Sequence, residues 1–301
     1  MRFANIAGRA FDRPLLLHPG HGQTLLAALA GLIARSNLES RLDGERPQAM
    51  AYDDDDRERP MPTSSLPFGL VQWERGKCYA EIDGVAVLEV DGTLVNKNGY
   101  LGPSCGMTGY DGIRTQLMAA MVDPTVKGIA LYTESPGGEV SGCFDLANFI
   151  REAAKQKPIW GIVDGLAASA AYALVSGCTR ITSSSVGLVG SIGVIVAHAD
   201  FSKMLEKDGI DVQLIFAGAH KADGNPFNPL PKEVRATIQA EIDSLWTQFA
   251  ALVSVGRKIS PAAVKALEAQ CFLAGEAHGH KLCDDVMPPD EALAEFIESV
   301  S

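Results

Sequence analysis

The stretch Gly128-Ile129-Ala130-Leu131-Tyr132-Thr133-Glu134-Ser135-Pro136-Gly137-Gly138-Glu139 decides the fold. A short apolar run, Gly128–Tyr132, leads into a paired-glycine turn, and the helical pattern Gly142–Lys155 follows. A buried strand that ends in glycines and feeds a helix is the building unit of α/β sheets. The same alternation continues outward. Strands are predicted at Val85–Val90, Ile159–Val163, Arg180–Thr182, Ile192–Ala197 and Val212–Phe216. Helices are predicted at Asp111–Met121, Ala168–Ser176, Phe201–Asp208, Pro231–Gly256 and Pro261–Ala269. The expected architecture is therefore α/β, with a largely parallel sheet and flanking helices.

Upstream the pattern differs. Gln23-Thr24 opens an apolar-periodic run that closes near Arg35-Ser36, so residues 1–52 read as an N-terminal helical extension. Four consecutive aspartates, Asp53–Asp56, precede Arg57-Glu58-Arg59-Pro60-Met61-Pro62, and residues 53–75 read as a solvated linker. A cation site made of those aspartates is disfavoured, because adjacent side chains diverge and no glycine turn accompanies them. Residues 76–301 form the remaining domain.

The 301 residues carry 26 Lys+Arg and 37 Asp+Glu, a net charge of −11, with 47% apolar residues. That composition excludes general disorder and a polytopic membrane protein. The acidic balance disfavours direct binding to nucleic acid or anionic lipid, both of which recruit Lys and Arg. The run Leu25–Ala34 is too short to span a bilayer, and Asp164 interrupts Trp160–Gly177, so no membrane anchor is expected. Six cysteines are spread without pairing, which suits reduced thiols in a cytosol. Cys271, His278, His280 and Cys283 match no common zinc spacing, and neither metal nor cofactor is expected.

Three strand ends carry residues able to do chemistry. In α/β sheets, ligands gather beyond the carboxyl ends of the strands. The glycines of Ser135-Pro136-Gly137-Gly138 leave backbone N–H groups open for an oxyanion or for an extended peptide at a strand edge. Ser169, in Gly165-Leu166-Ala167-Ala168-Ser169-Ala170-Ala171-Tyr172, opens a helix whose small neighbours admit a substrate backbone, and no G-x-S-x-G elbow surrounds it. A serine nucleophile needs a base, for which His198, His220 and Lys221 are the candidates. A lysine serves only where burial strips water from its ammonium group. Spacing alone does not choose among the three.

Taken in order, Ser-Pro-Gly-Gly (135–138), Gly-Leu-Ala-Ala-Ser-Ala-Ala-Tyr (165–172), Val-Gly-Ser-Ile-Gly-Val (189–194), Gly-Ala-His-Lys (218–221), Asn225-Pro226-Phe227 and Phe272–Ala277 resemble the signal peptide peptidase A family of serine peptidases. The resemblance covers roughly residues 80–290. It implies a ClpP/crotonase-like fold and a Ser/Lys dyad, with Ser169 as nucleophile and Lys221 as general base. Ser191 then orients the lysine, and Gly138 supplies an oxyanion donor.

The missing anchor and the segment Arg13-Pro14-Leu15-Leu16-Leu17-His18-Pro19 resemble the family's phage and prophage branch, the capsid maturation proteases. That likeness implies cleavage of scaffold, portal or other capsid-assembly proteins, in the host cytoplasm or inside the immature capsid. It also implies ring-like homo-oligomers, for which the long helix Pro231–Gly256 is the expected assembly surface. Three alternatives carry different expectations: a cellular quality-control peptidase with the same chemistry, a crotonase-type acyl-CoA enzyme, and an inactive capsid-assembly partner.

Overall fold

The computed structural model describes residues 15–17, 77–103 and 106–301. Its centre is a parallel array of β3 (Val85–Val95), β5 (Gly128–Glu139), β6 (Ile159–Ala168) and β7 (Arg180–Ser183). Two further strands, β2 (Ala80–Ile82) and β10 (Asp285–Val286), complete the order β10-β7-β6-β5-β3-β2. Along β3, Ala86, Leu88 and Val90 enter one apolar core, whereas Val85 and Val87 enter another. This period-two division covers both sheet faces, as parallel sheets require.

The larger core lies beneath α1 (Tyr110–Val122), α2 (Cys143–Ala153), α3 (Ala170–Val175) and the C-terminal half of α5 (Lys232–Arg257). α8 (Pro289–Val300) closes the opposite face with Ala292, Leu293 and Phe296. There Phe296 stacks on Trp160 with ring centroids 4.8 Å apart. The α/β architecture with a largely parallel sheet matches the reading from sequence.

Several boundaries differ from that reading. β5 and β6 extend well beyond the expected Gly128–Tyr132 and Ile159–Val163, because their glycine-rich ends stay paired. Ile192–Ala197 and Val212–Phe216 are not strands, although their β-branched composition suggested it. Ile195 makes an isolated bridge to Leu15, and Ile215 is 99% exposed and pairs with no strand among the described residues. The expected helix Pro261–Ala269 stops as α6 (Pro261–Lys265), and Glu268 and Ala269 turn to positive φ. The short strands β4 (Met107–Gly109), β8 (Leu188–Gly190) and β9 (Cys271–Leu273), together with β2 and β10, escaped detection, since two or three residues show no periodicity. The helical run from Gln23 and the linker 53–75 lie outside the described residues, as do the four aspartates. Within the extension, Leu15–Leu17 form a strand, β1.

Beyond its midpoint the sheet divides. β5 pairs with β6 as far as Ser135↔Ala167, with a register shift after Thr133. Past that point Gly137 and Gly138 pair with Thr93 and Leu94 of β3 on one side and with β1 on the other. β6 turns instead to β8, through Leu166↔Leu188, Ala167↔Val189 and Ala168↔Gly190. A cleft therefore opens between the carboxyl ends of β5 and β6, the place where α/β sheets hold their ligands.

Candidate active site

Ser169 sits on the single residue between β6 and α3, at φ 56° and ψ −115°. This backbone conformation is one that L-residues rarely adopt and costs roughly 1–3 kcal/mol. Surrounding bonds hold it there. Its N–H donates to the Gly190 carbonyl at 2.8 Å, and its carbonyl accepts from Ala173 N at 2.9 Å. The hydroxyl lies 3.5 Å from the Gly193 carbonyl, and the residue has no exposed surface. α3 is short and alanine-rich, so its backbone packs tightly behind the serine, and the buried Tyr172 ties it to the Leu282 carbonyl at 2.9 Å.

Ser191 is held in a similar way. It lies at φ 55°, is 4% exposed, and donates its N–H to the Gln270 carbonyl at 2.8 Å. Gly190, between the two serine environments, has φ 132°, and a Cβ there would stand 2.5 Å from Gln270 O. A second glycine, Gly193, leaves no room for a side chain against Ala269. Burial pushes the Cys271 thiol up to about 11, against a smaller lowering by the Ser191 hydroxyl. Sequence reasoning quoted the 189–194 motif without giving Gly190 and Gly193 these roles.

On the facing lip, Gly138 packs so closely on β3 that a Cβ would lie 1.8 Å from Leu94 O. Gly137 takes φ 99°. Ser135 is buried, and its hydroxyl donates to the Gly92 carbonyl at 2.6 Å and accepts from Gly137 N at 3.2 Å. Ser135 therefore fixes the shape of the edge through its side chain, while the two glycines present the backbone. Pro136 lines an adjoining cavity of about 530 Å³ with Asp91 and Glu134. Burial raises both carboxyls above their usual range, and Glu134 is raised further by the charges of Asp91 and Asp164. No feature of the sequence motifs announced this acidic recess.

Ser169 is buried, whereas Lys221 is exposed. It lies in an exposed turn whose N–H donates to the Gly218 carbonyl at 3.1 Å, and it lines a cavity of about 1040 Å³ with Phe216, His220 and the start of α5. Among the described residues, no hydrogen bond joins Ser169 to Lys221. His220 is exposed and bound to Asp223 at 2.8 Å. The structure thus brings Ser169 together with Gly190 and Gly193 beside Ser191, pairs the Gly137-Gly138 edge with β1 and β3, and leaves Lys221 exposed.

Comparison with known proteins places the chain among peptidases. The profile of Peptidase family S49 matches residues 151–300, and that of Clp protease matches residues 95–199. The capsid assembly protease C of Escherichia phage lambda is 36% identical over 289 residues, covering 96% of this chain and 64% of the relative. The head-tail preconnector protein GP5 of Enterobacteria phage P21 is 35% identical over 294 residues, covering 97% of this chain and 56% of the relative. A putative signal peptide peptidase SppA of Enterococcus faecium is 32% identical over 184 residues, covering 60% of this chain and 53% of the relative. The chain thus spans less than two thirds of the length of these relatives. Among the described residues, no helix is long and apolar enough to cross a membrane.

Proposed function

We propose that this chain, which belongs to peptidase family S49, is a serine endopeptidase that acts on capsid-assembly proteins during phage head maturation. The observation that carries the reading is Ser169, buried and held at strained positive φ where β6 ends. Ser169 Oγ attacks the peptide carbonyl, and Lys221 as free amine takes the hydroxyl proton and returns it to the departing amine. Water then releases the acyl group from the serine ester. The Gly138 N–H stabilises the oxyanion, and Ser191 orients the lysine. Substrate lies extended along Ser135, Pro136, Gly137 and Gly138, adding a strand to β5.

This chemistry requires water to be removed from the Lys221 ammonium, and in the single chain that residue is exposed. Assembly with further copies supplies the burial. Ile210, Leu214, Ile215 and Phe216 form an exposed apolar arm just before Lys221, and only Phe249, Ala250, Leu252 and Val253 of the long α5 are buried. An arm so apolar fits a homo-oligomeric interface. Its cleavage partners are scaffold, portal or other capsid proteins, met in the host cytoplasm or within the immature shell.

The test is to mix the protein with its candidate scaffold and capsid substrates and map the new termini by mass spectrometry. Ser169→Ala and Lys221→Ala should each lower turnover by at least about 10³, as loss of a dyad member does. Specific activity should rise with chain concentration. Full hydrolysis by Lys221→Ala, with loss in His220→Ala, would instead assign the base to the histidine.

A further inference from the structure

The edge at which substrate is proposed to bind is already filled. β1 runs antiparallel to β5 in the register Leu15↔Glu139, Leu16↔Gly138, Leu17↔Gly137. On its other side, Leu15 N donates to the Ile195 carbonyl at 2.8 Å, and Ile195 N donates to the Leu15 carbonyl at 2.9 Å. The segment is therefore clamped between the glycine edge and the chain that follows Gly193, whose carbonyl faces the Ser169 hydroxyl. Leu15 is 5% exposed and Ser169 wholly covered.

The register has a chemical meaning. Leu15 spends both of its backbone groups on Ile195, and in an antiparallel ladder the neighbouring residue turns its groups the other way. Leu16 thus directs its N–H and C=O to β5, opposite Gly138. That glycine carries the N–H proposed to receive the substrate carbonyl. A three-residue strand with few bonds of its own is also the kind of element that opens readily.

We infer that Leu15–Leu17 is an intramolecular pseudosubstrate: it occupies the peptide cleft in the manner of an extended aliphatic substrate, with the Leu16 carbonyl at the scissile position. The inference rests on the peptidase reading for the word substrate, but not for the occupancy. A tethered competitor acts at an effective concentration of order mM, so a peptide in trans must displace it. The preferred ligand of the cleft is accordingly a polypeptide with consecutive aliphatic residues, entering antiparallel to β5.

The experiment uses the full chain carrying Ser169→Ala, so that the probe is not consumed, and a fluorescent heptapeptide of sequence Arg-Pro-Leu-Leu-Leu-His-Pro. Leu16→Pro removes the ladder N–H, and Leu15→Asp places a charge where Leu15 is buried. Each added change should tighten heptapeptide binding by about tenfold or more. Unchanged or weaker probe binding in both variants, with a lowered melting temperature, would overturn the inference and make β1 a structural strand. Hydrolysis of capsid substrates is measured separately with Ser169 intact. If no substrate is cut while both variants bind the heptapeptide more tightly, the catalytic reading fails and the occupied peptide site stands.

Discussion

Ser169 combines two demands that ordinarily conflict, a strained backbone and a fully buried hydroxyl. The strain is local to φ and ψ, so a residue without Cβ should relieve it. Ser169→Gly is expected to unfold at a higher temperature than Ser169→Ala, by a difference of about 1 kcal/mol in chemical denaturation. Equal stabilities would mean that Ser169 carries no backbone strain for the loss of Cβ to relieve. Sequence reasoning selected this serine by its small neighbours and motif, yet nothing local signalled the positive φ. That angle is imposed by the Gly190 carbonyl, which reaches Ser169 N from a strand more than twenty residues away.

Among the elements, β5 bears the most constraint. Its first half is buried, as the apolar run Gly128–Tyr132 predicted, while its second half exchanges β6 for β1. The contact between Gly138 and Leu94 O leaves no room for a methyl group, so Gly138→Ala must push β5 away from β3. Such a change should cost roughly 1–3 kcal/mol in denaturant unfolding. It should also reduce turnover more than its stability loss explains, because the N–H proposed as oxyanion donor moves with the strand. Wild-type kinetics in a stable Gly138→Ala protein would remove Gly138 from the site. The failed strand expectations, Ile192–Ala197 and Val212–Phe216, have the opposite cause. Their composition favours a pleated surface, but a strand exists only where another backbone lies alongside.

For the molecule as a whole, the C-terminal third is fastened to the sheet through charge. Arg257, at the end of α5, has a side chain 7% exposed and donates to Asp284 at 2.7 and 3.1 Å and to the Lys281 carbonyl at 2.8 Å. Asp284 also accepts from Ile181 N in β7 at 2.7 Å. Burial alone would raise the Asp284 carboxyl, but the Arg257 and Ile181 hydrogen bonds outweigh it and hold the group below its usual range. A depressed carboxyl stabilises the fold above its unfolded-state value, and that contribution is lost as pH falls through the folded-state value. Asp284→Ala should destabilise the protein by roughly 3–5 kcal/mol near neutral pH, since it strands a buried guanidinium. Thermal unfolding across pH should show the gap between variant and wild type closing below about pH 4; a gap independent of pH would assign the loss to packing.

The sequence by itself determined the α/β alternation, the order of the motifs and the identity of the chemical groups, because hydrophobic periodicity and glycine placement are local properties. Tertiary structure alone decided which backbones meet: the division of the sheet past Ser135, the paired strain at Ser169 and Ser191, and the seating of Leu15–Leu17 in the cleft. It also left Lys221 exposed. Each of these depends on hydrogen bonds or apolar contacts between segments far apart in the chain. A three-residue strand has no periodicity to read, and its partner is chosen by shape and register rather than by its own residues.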